Sequence, residues 1–195
     1  MENPKKDEVE QVSNVVRELL SHEERIKPDF QKYLEDNEFY GTPASSKYHG
    51  SHPGGLVLHS YNVYKRLCEY NEWQNLEIPH DSLLIMGLFH DVCKLNHYVI
   101  EMRNRKDKET GRWYEYPYYE TEEQLPLEHG HKSALILMKH IGLSAKETLT
   151  VAWHMGAWDT EAYVARQKLS EAMRKCPWVL ALQTADMQSV SIDNL

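Results

Sequence analysis

The chain has 195 residues, 41% of them apolar and 27% charged, the balance of a soluble globular protein and enough length for one domain with a real core. Its formal charge of −8 argues against a large nucleic-acid surface, which needs a basic stripe, but leaves room for a small anionic substrate if a bound divalent cation inverts the local field. Eleven histidines suggest metal chemistry without specifying it, and three widely spaced cysteines, Cys68, Cys93 and Cys176, make neither a CxxC zinc pattern nor a disulfide framework.

Met1 to Glu10 is mostly charged and does not read as a signal peptide, and no apolar run approaches the length of a membrane span. A cytoplasmic protein with reduced thiols is expected. From Val9 onward, Val12, Val15, Val16, Leu19 and Leu20 recur at helical spacing, and Pro28 suits the first turn of a second helix through Phe30, Tyr33 and Leu34. Phe39 to Gly55, with four glycines and two prolines among serines, Lys47, His49 and His52, reads as a loop able to lie over a site. A third helix is expected over Leu56 to Tyr70, with His59 on its inner side, and a fourth over Asp81 to Val92, capped by Asp81. The fourth is apolar on nearly all sides and should be central.

The middle changes character. Tyr98 to Arg103 and Trp113 to Tyr119 are aromatic and β-branched, and the polar span between them ends in Thr110-Gly111, so a two-stranded ribbon is expected. It is either a solvent-facing insertion or a flap or contact between two copies, as in a homodimer. Helical periodicity returns at His129. Ser144-Ala145-Lys146-Glu147 has the capping-box form, opening a helix that runs to Trp153 and is ended by Met155-Gly156. A polar connector with Asp159 and Tyr163 leads to a short helix at Leu169 to Arg174, and Pro177 opens the last helix, with Trp178, Leu182, Ala185 and Asp186 on its inner side.

Burying the run Leu83 to Phe89 carries His90 and Asp91 inward, and a buried carboxylate needs a partner. Adjacent residues on a regular helix point about 100° apart, so both reach one centre only if the helix ends there or the centre lies in the crevice beside it. Lys94, three residues after Asp91, is either an intrahelical ion-pair partner or a cation offered to a phosphoryl oxygen. Taken singly, His59 and His154 read as hydrogen-bonded core residues and Asp186 as a helix-packing contact. Together they demand several separate buried partners, and one metal centre satisfies them all. Imidazole and carboxylate donors suit Mn, Fe, Ni, Co, Zn or Mg. Spacing leaves His129 and His131 open, because residues i and i+2 do not share a helix face.

The order His59, His90-Asp91, His129 or His131, His154, Asp186 resembles the HD superfamily of metal-dependent phosphohydrolases over residues 50–190. The segments Gly54-Gly55-Leu56-Val57-Leu58-His59-Ser60, His90-Asp91-Val92-Cys93-Lys94, Glu128-His129-Gly130-His131-Lys132-Ser133, Trp153-His154-Met155-Gly156 and Ala185-Asp186-Met187 resemble the small stand-alone HD proteins of bacteria and phages. In those the third segment reads His-Gly-Glu-Lys-Ser, which aligns His129 with the family histidine and makes His131 the substitution. The resemblance implies an all-α HD-domain bundle with the site in its crevice; with the pattern above, the chain is expected to be one domain over 1–195, with N-terminal helices in 1–40 and the ribbon inserted at about 98–120. It implies one or two divalent metal ions: His59, His90, Asp91 and Asp186 hold the first, and His129 and His154 add a second that Asp91 bridges.

The activity so implied is hydrolysis of a nucleotide or related small phosphate ester by metal-activated water, with Asp91 and Lys94 catalytic. Lys94, Lys47, His52 and Trp158 are the expected substrate contacts, with His49 beside them and Trp153 or Tyr163 as further stacking candidates. One alternative is a phosphodiesterase or 3′-5′ exonuclease acting on short single-stranded nucleic acid or a cyclic nucleotide. Another is a non-catalytic HD protein that binds a nucleotide.

Overall fold

The computed structural model describes residues 5–159 and 163–193; the side chains of Asp159 and Tyr163 lie outside that description. Helix α1 (Lys6–Ser21) buries Val16 and Leu20, and α2 (Pro28–Asp36), with Pro28 in its first turn, buries Phe30 and Leu34. Phe30 meets Phe89 edge-on at 5.1 Å, and Phe39 packs on Phe89 at 5.7 Å, so the N-terminal pair closes one side of a shared core. Helix α3 (Gly55–Gln74) runs a turn beyond its expected end, to Asn75, whose left-handed backbone (φ 49°) stops it.

Helix α4 (His80–Phe89) is the central helix, buried from Ser82 to Phe89 on every side. Two expectations about it need correction. Asp81 does not cap it: Pro79 precedes the first turn, and Asp81 sits inside that turn, paired with Arg25 at 2.8 Å. The helix also stops at Phe89, not Val92. His90 still donates its backbone N–H to Met86, but Asp91 leaves the helical region (φ −105°, ψ 18°), and a 3-10 turn at Val92–Lys94 closes with Lys94 N–H bonded to the Asp91 carbonyl at 3.0 Å. Ending the helix at this point lets neighbouring side chains address one centre.

Helices α3 and α4 cross at Gly87. A Cβ there would stand 2.6 Å from Tyr64 Cα, closer than real contacts allow, so only glycine permits this backbone approach. Gly87→Ala is therefore expected to destabilise the fold by about 1–3 kcal/mol, because relief requires moving a helix. Thermal melting reads this directly, and a midpoint unchanged within about 1 °C would contradict it.

The ribbon forms as expected but with longer strands, β1 (Tyr98–Lys106) and β2 (Trp113–Thr121), antiparallel in the register Tyr98↔Thr121 to Lys106↔Trp113. Most of it is exposed; Tyr119 is its buried anchor. The chain is thus a helical protein carrying one β-hairpin.

Helices α5 (His129–His140) and α6 (Ala145–Ala152) follow, then α7 (Tyr163–Lys175), longer than the short helix expected, and α8 (Trp178–Gln188). The capping box at α6 is formed: Ser144 Oγ accepts from Glu147 N–H, and the Glu147 carboxylate accepts from Ser144 N–H at 2.7 Å. α5 and α6 meet at Gly130, where a Cβ would lie 2.4 Å from the Ala152 carbonyl. α8 packs on α3 and α6, with Val179, Leu182 and Ala185 in the core. Among the described residues no helix is long and apolar enough to cross a membrane.

Candidate metal centre

Five elements converge where α4 ends. His59 comes from the first turns of α3, His90 and Asp91 from the end of α4, His129 from the first residue of α5, His154 from the turn after α6 and Asp186 from the inner face of α8. His59, His90, Asp91 and His154 are buried in the protein interior. Asp91 is the hub. Its Oδ2 lies 3.5 Å from His59 Nε2, 3.6 Å from His90 Nε2 and 2.6 Å from Lys94 Nζ. Its Oδ1 lies 2.5 Å from His129 Nε2 and 3.4 Å from His154 Nε2. Asp186 Oδ1 stands 3.2 Å from His59 Nε2 and 3.9 Å from His90 Nε2. The two oxygens of Asp91 thus divide the cluster into a His59, His90, Asp186 half and a His129, His154 half.

The outer ring atoms fix which nitrogen points inward. His90 Nδ1 donates to the Gly87 carbonyl at 3.0 Å, and His154 Nδ1 donates to the Val151 carbonyl at 2.7 Å. A neutral ring that donates through Nδ1 presents a bare lone pair at Nε2. His59 Nδ1 faces Ser189 Oγ at 3.1 Å, which orients its Nε2 inward as well. Ordering of an imidazole through its second nitrogen is the arrangement that metal-binding histidines use.

Lone pairs and carboxylate oxygens therefore converge on one space, an arrangement that a cation can satisfy. Two observations test the fit. His154 Nε2 is buried and has no hydrogen-bond partner, although it lies beside Asp91. Donor atoms about 2.1 Å from one metal stand about 3.0–3.4 Å apart along the edges of a tetrahedron or octahedron. The His59–His90 and His59–Asp186 separations are both 3.2 Å, and His154–Asp91 is 3.4 Å. Three ligand triplets, each with donors within 4.8 Å of one another, are found among the described residues: His59, His90 and Asp91; His90, His154 and Asp186; Asp91, His129 and His154. These side chains can hold a metal ion.

The proton affinities carry the same message. Burial alone would raise the Asp91 carboxyl, yet Lys94, His90 and His129 hold it well below the usual carboxylate range. Burial likewise opposes ionisation of Asp186, and His59 overcomes it. Burial pushes His90 down to about 3 against the pull of Asp91 and Asp186, and the ring stays neutral. Burial opposes charge on His129, but Asp91 raises it to about 10. Burial also opposes charge on Lys94, whose ammonium Asp91 keeps protonated. These positive groups balance the carboxylates, as a divalent ion would.

The cluster forms the floor of a cavity of about 510 Å³. Its walls bring Lys94, His97, Tyr98, Trp158, Gln183 and Met187 over the floor. Trp158, an expected substrate contact, is among them and 81% exposed. Two others are placed differently. Lys47 lines a separate recess, and His52 turns its Nδ1 to the Pro53 carbonyl, so neither lines this cavity. From the same loop it is Ala44, Ser45, Ser46 and His49 that do. The loop folds back on itself, with Ala44 N–H bonded to the Gly50 carbonyl and Ser45 Oγ to the His49 carbonyl, which sets His49 5.4 Å from the His59 ring. His131 also stands apart, against Glu128 and the Trp153 ring, which leaves His129 in the cluster. His97, Tyr98, Gln183 and Met187 were not singled out as site residues in the sequence. Gln183 lies three residues before Asp186, a spacing that marks it as a neighbour on one face of α8.

Because binding to the folded state alone stabilises it, saturating Mn²⁺, Co²⁺ or Zn²⁺ is expected to raise the melting temperature, and a chelator to reverse the rise. At a thousandfold excess over Kd the gain is about 4 kcal/mol. His129→Ala should weaken the shift, whereas His131→Ala should leave it intact; equal loss in both would contradict the assignment of His129 over His131.

No family model, curated protein or solved structure matches the chain, so the residues of the centre must carry the functional reading themselves.

Proposed function

We propose that the chain is a metal-dependent phosphohydrolase of the HD kind, acting on a nucleotide or a related small phosphate ester. The observation that carries the reading is the divided Asp91 carboxylate, with imidazoles on both oxygens and the Lys94 ammonium beside it at the cavity floor. When bound, one or two divalent cations supply Lewis acidity and an acidified water. His59, His90, Asp91 and Asp186 would hold the first, and His129 and His154 the second, with Asp91 shared between them.

The remaining work falls to this chain's own groups. Lys94 stays protonated and offers positive charge to a non-bridging phosphoryl oxygen, favouring the state in which charge builds there. Asp91, ionised and held from both sides, keeps the imidazoles and Lys94 in fixed relation, so little reorganisation is needed at the moment of reaction. The Gly87 and Val151 carbonyls lock the ring planes of His90 and His154. Trp158 at the wall presents a flat apolar face of the kind on which a base stacks.

The test is a screen of nucleoside mono-, di- and triphosphates, cyclic nucleotides and short oligonucleotides with Mn²⁺, Co²⁺ or Ni²⁺, reading phosphate release and products. Metal-dependent release of phosphate from at least one mononucleotide is expected. Cleavage confined to oligonucleotides or cyclic nucleotides would replace the reading with a diesterase, and tight nucleotide binding without turnover would replace it with a binding protein.

A further inference from the structure

Beside the main cavity lies a second recess of about 370 Å³, between the loop after Phe39 and the ribbon. Its lining is unlike the rest of a chain that carries a formal charge of −8. Lys47 from the loop and Arg105 from β1 line it, together with Ser46, Ser51, Tyr116 and Tyr118, and no carboxylate lines it. Neither cation makes an ion pair with a described residue; Lys47 has only the distant ring of Tyr48, at 5.7 Å. Of the other basic side chains nearby, Arg103 pairs with Glu120 and Lys132 with Glu123, while Lys106, Lys108 and Arg112 at the ribbon tip line neither this recess nor the main cavity. Two uncommitted cations with hydroxyl donors and no competing acid describe an anion-binding recess, in which the guanidinium gives paired N–H donors and the ammonium a point charge.

Its position adds the second argument. Ser46 lines both the recess and the main cavity. Tyr98 on the wall of the main cavity packs against Tyr119 on the wall of the recess, with ring centres 6.1 Å apart. The two spaces therefore adjoin along one side of the folded loop, with cation-binding floor in one and fixed positive charge in the other. The ribbon thereby gains a role beyond a solvent-facing insertion, since it supplies Arg105 and the tyrosines.

We propose that this recess is a distal anion subsite, which takes a second phosphate of the substrate while the first lies over the Asp91 cluster. The substrate class is then a nucleotide with two separated phosphate groups. A nucleoside 3′,5′-bisphosphate and a 5′-phosphorylated dinucleotide both supply that chemistry. The inference rests on the phosphohydrolase reading for what occupies the main cavity.

The test separates the two by reading binding without turnover. The metal-free protein is titrated with nucleoside 5′-monophosphate, nucleoside 3′,5′-bisphosphate and 5′-phosphorylated dinucleotide, following the Arg105 Nε–H resonance and the Kd of each. A saturable shift at Arg105 is expected with the two-phosphate probes, together with at least about tenfold tighter binding than the monophosphate, a gain ordinary for one charge-assisted contact. The gain should collapse in Lys47→Ala/Arg105→Ala and partly return with Arg105→Lys. The tighter of the two probes identifies the source. Equal shifts at exposed Arg112 and Arg174, or equal affinity for one and two phosphates, would overturn the subsite. If Arg105 responds as expected while no phosphate ester is hydrolysed with any metal, the subsite stands and the catalytic reading falls.

Discussion

Replacing Asp91 by Asn is expected to lower kcat/KM for phosphate-ester hydrolysis by about a thousandfold or more, a loss of roughly 4 kcal/mol of transition-state stabilisation. The carboxamide keeps the volume of the side chain but removes the charge and one of two acceptor oxygens. In this chain that single change strips both halves of the cluster, because Oδ1 serves His129 and His154 while Oδ2 serves His59, His90 and Lys94. Lys94, whose side chain is only 12% exposed, loses its counter-charge. An uncompensated buried cation costs about 3–5 kcal/mol, so the metal-free variant should also melt earlier. Far-UV circular dichroism separates the two effects. Near-parental helicity at the assay temperature with activity gone is the expected pair; retained activity would remove Asp91 from its central place.

The second large effect lies away from the cluster, at Glu147. Its side chain is 1% exposed, and the Arg25 guanidinium grips it through two nitrogens at 2.6 and 3.0 Å. Ser82 Oγ and Ser144 N–H add bonds of 2.8 and 2.7 Å. One carboxylate thus ties together the link between α1 and α2, the start of α4 and the start of α6. Glu147→Ala takes one of two carboxylates from Arg25, which keeps Asp81 and the Gly142 carbonyl, and leaves Ser82 Oγ and Ser144 N–H without their acceptor, for an expected loss of about 2–4 kcal/mol and a melting point lower by about 10 °C. Burial would raise this carboxyl, but Arg25 and the hydroxyl and amide donors bring it down to about 2. A folded-state value below the unfolded one makes the stabilisation complete above about pH 4.5 and lost as pH falls through about 2, up to about 3 kcal/mol in all. Urea unfolding of the parent should weaken over that window, and Glu147→Gln should flatten this part of the slope. Parallel acid profiles for the two proteins would contradict the assignment.

Much of this was legible in the sequence where the cause is local. Apolar spacing marked the helices, the aromatic runs around Thr110-Gly111 marked the hairpin, and Ser144 with Glu147 marked a cap that the structure forms. The cluster was legible for a related reason: buried histidines and aspartates cannot each find a private partner, so their number on inner faces implied a common centre. What stayed hidden depends on contacts distant in the chain. Glu147 read as a capping residue, and nothing near it announced Arg25, 122 residues away. The end of α4 at Phe89 reflects the 3-10 turn that follows, not a helix breaker in the sequence. In the loop, composition pointed equally to Lys47, His49 and His52; only the fold-back from Ala44 to Gly50 selects His49 for the main cavity and sends Lys47 to the recess.

The central claim is that the histidine–aspartate cluster binds metal in order to hydrolyse a phosphate ester. Its most direct test is a titration of chelator-stripped protein with Mn²⁺, following bound metal per chain and phosphate release in the same samples. The account predicts no release without metal, one or two equivalents bound at saturation, and turnover that rises with occupancy. Binding that never reaches one equivalent, or hydrolysis unchanged by removal of metal, would contradict it.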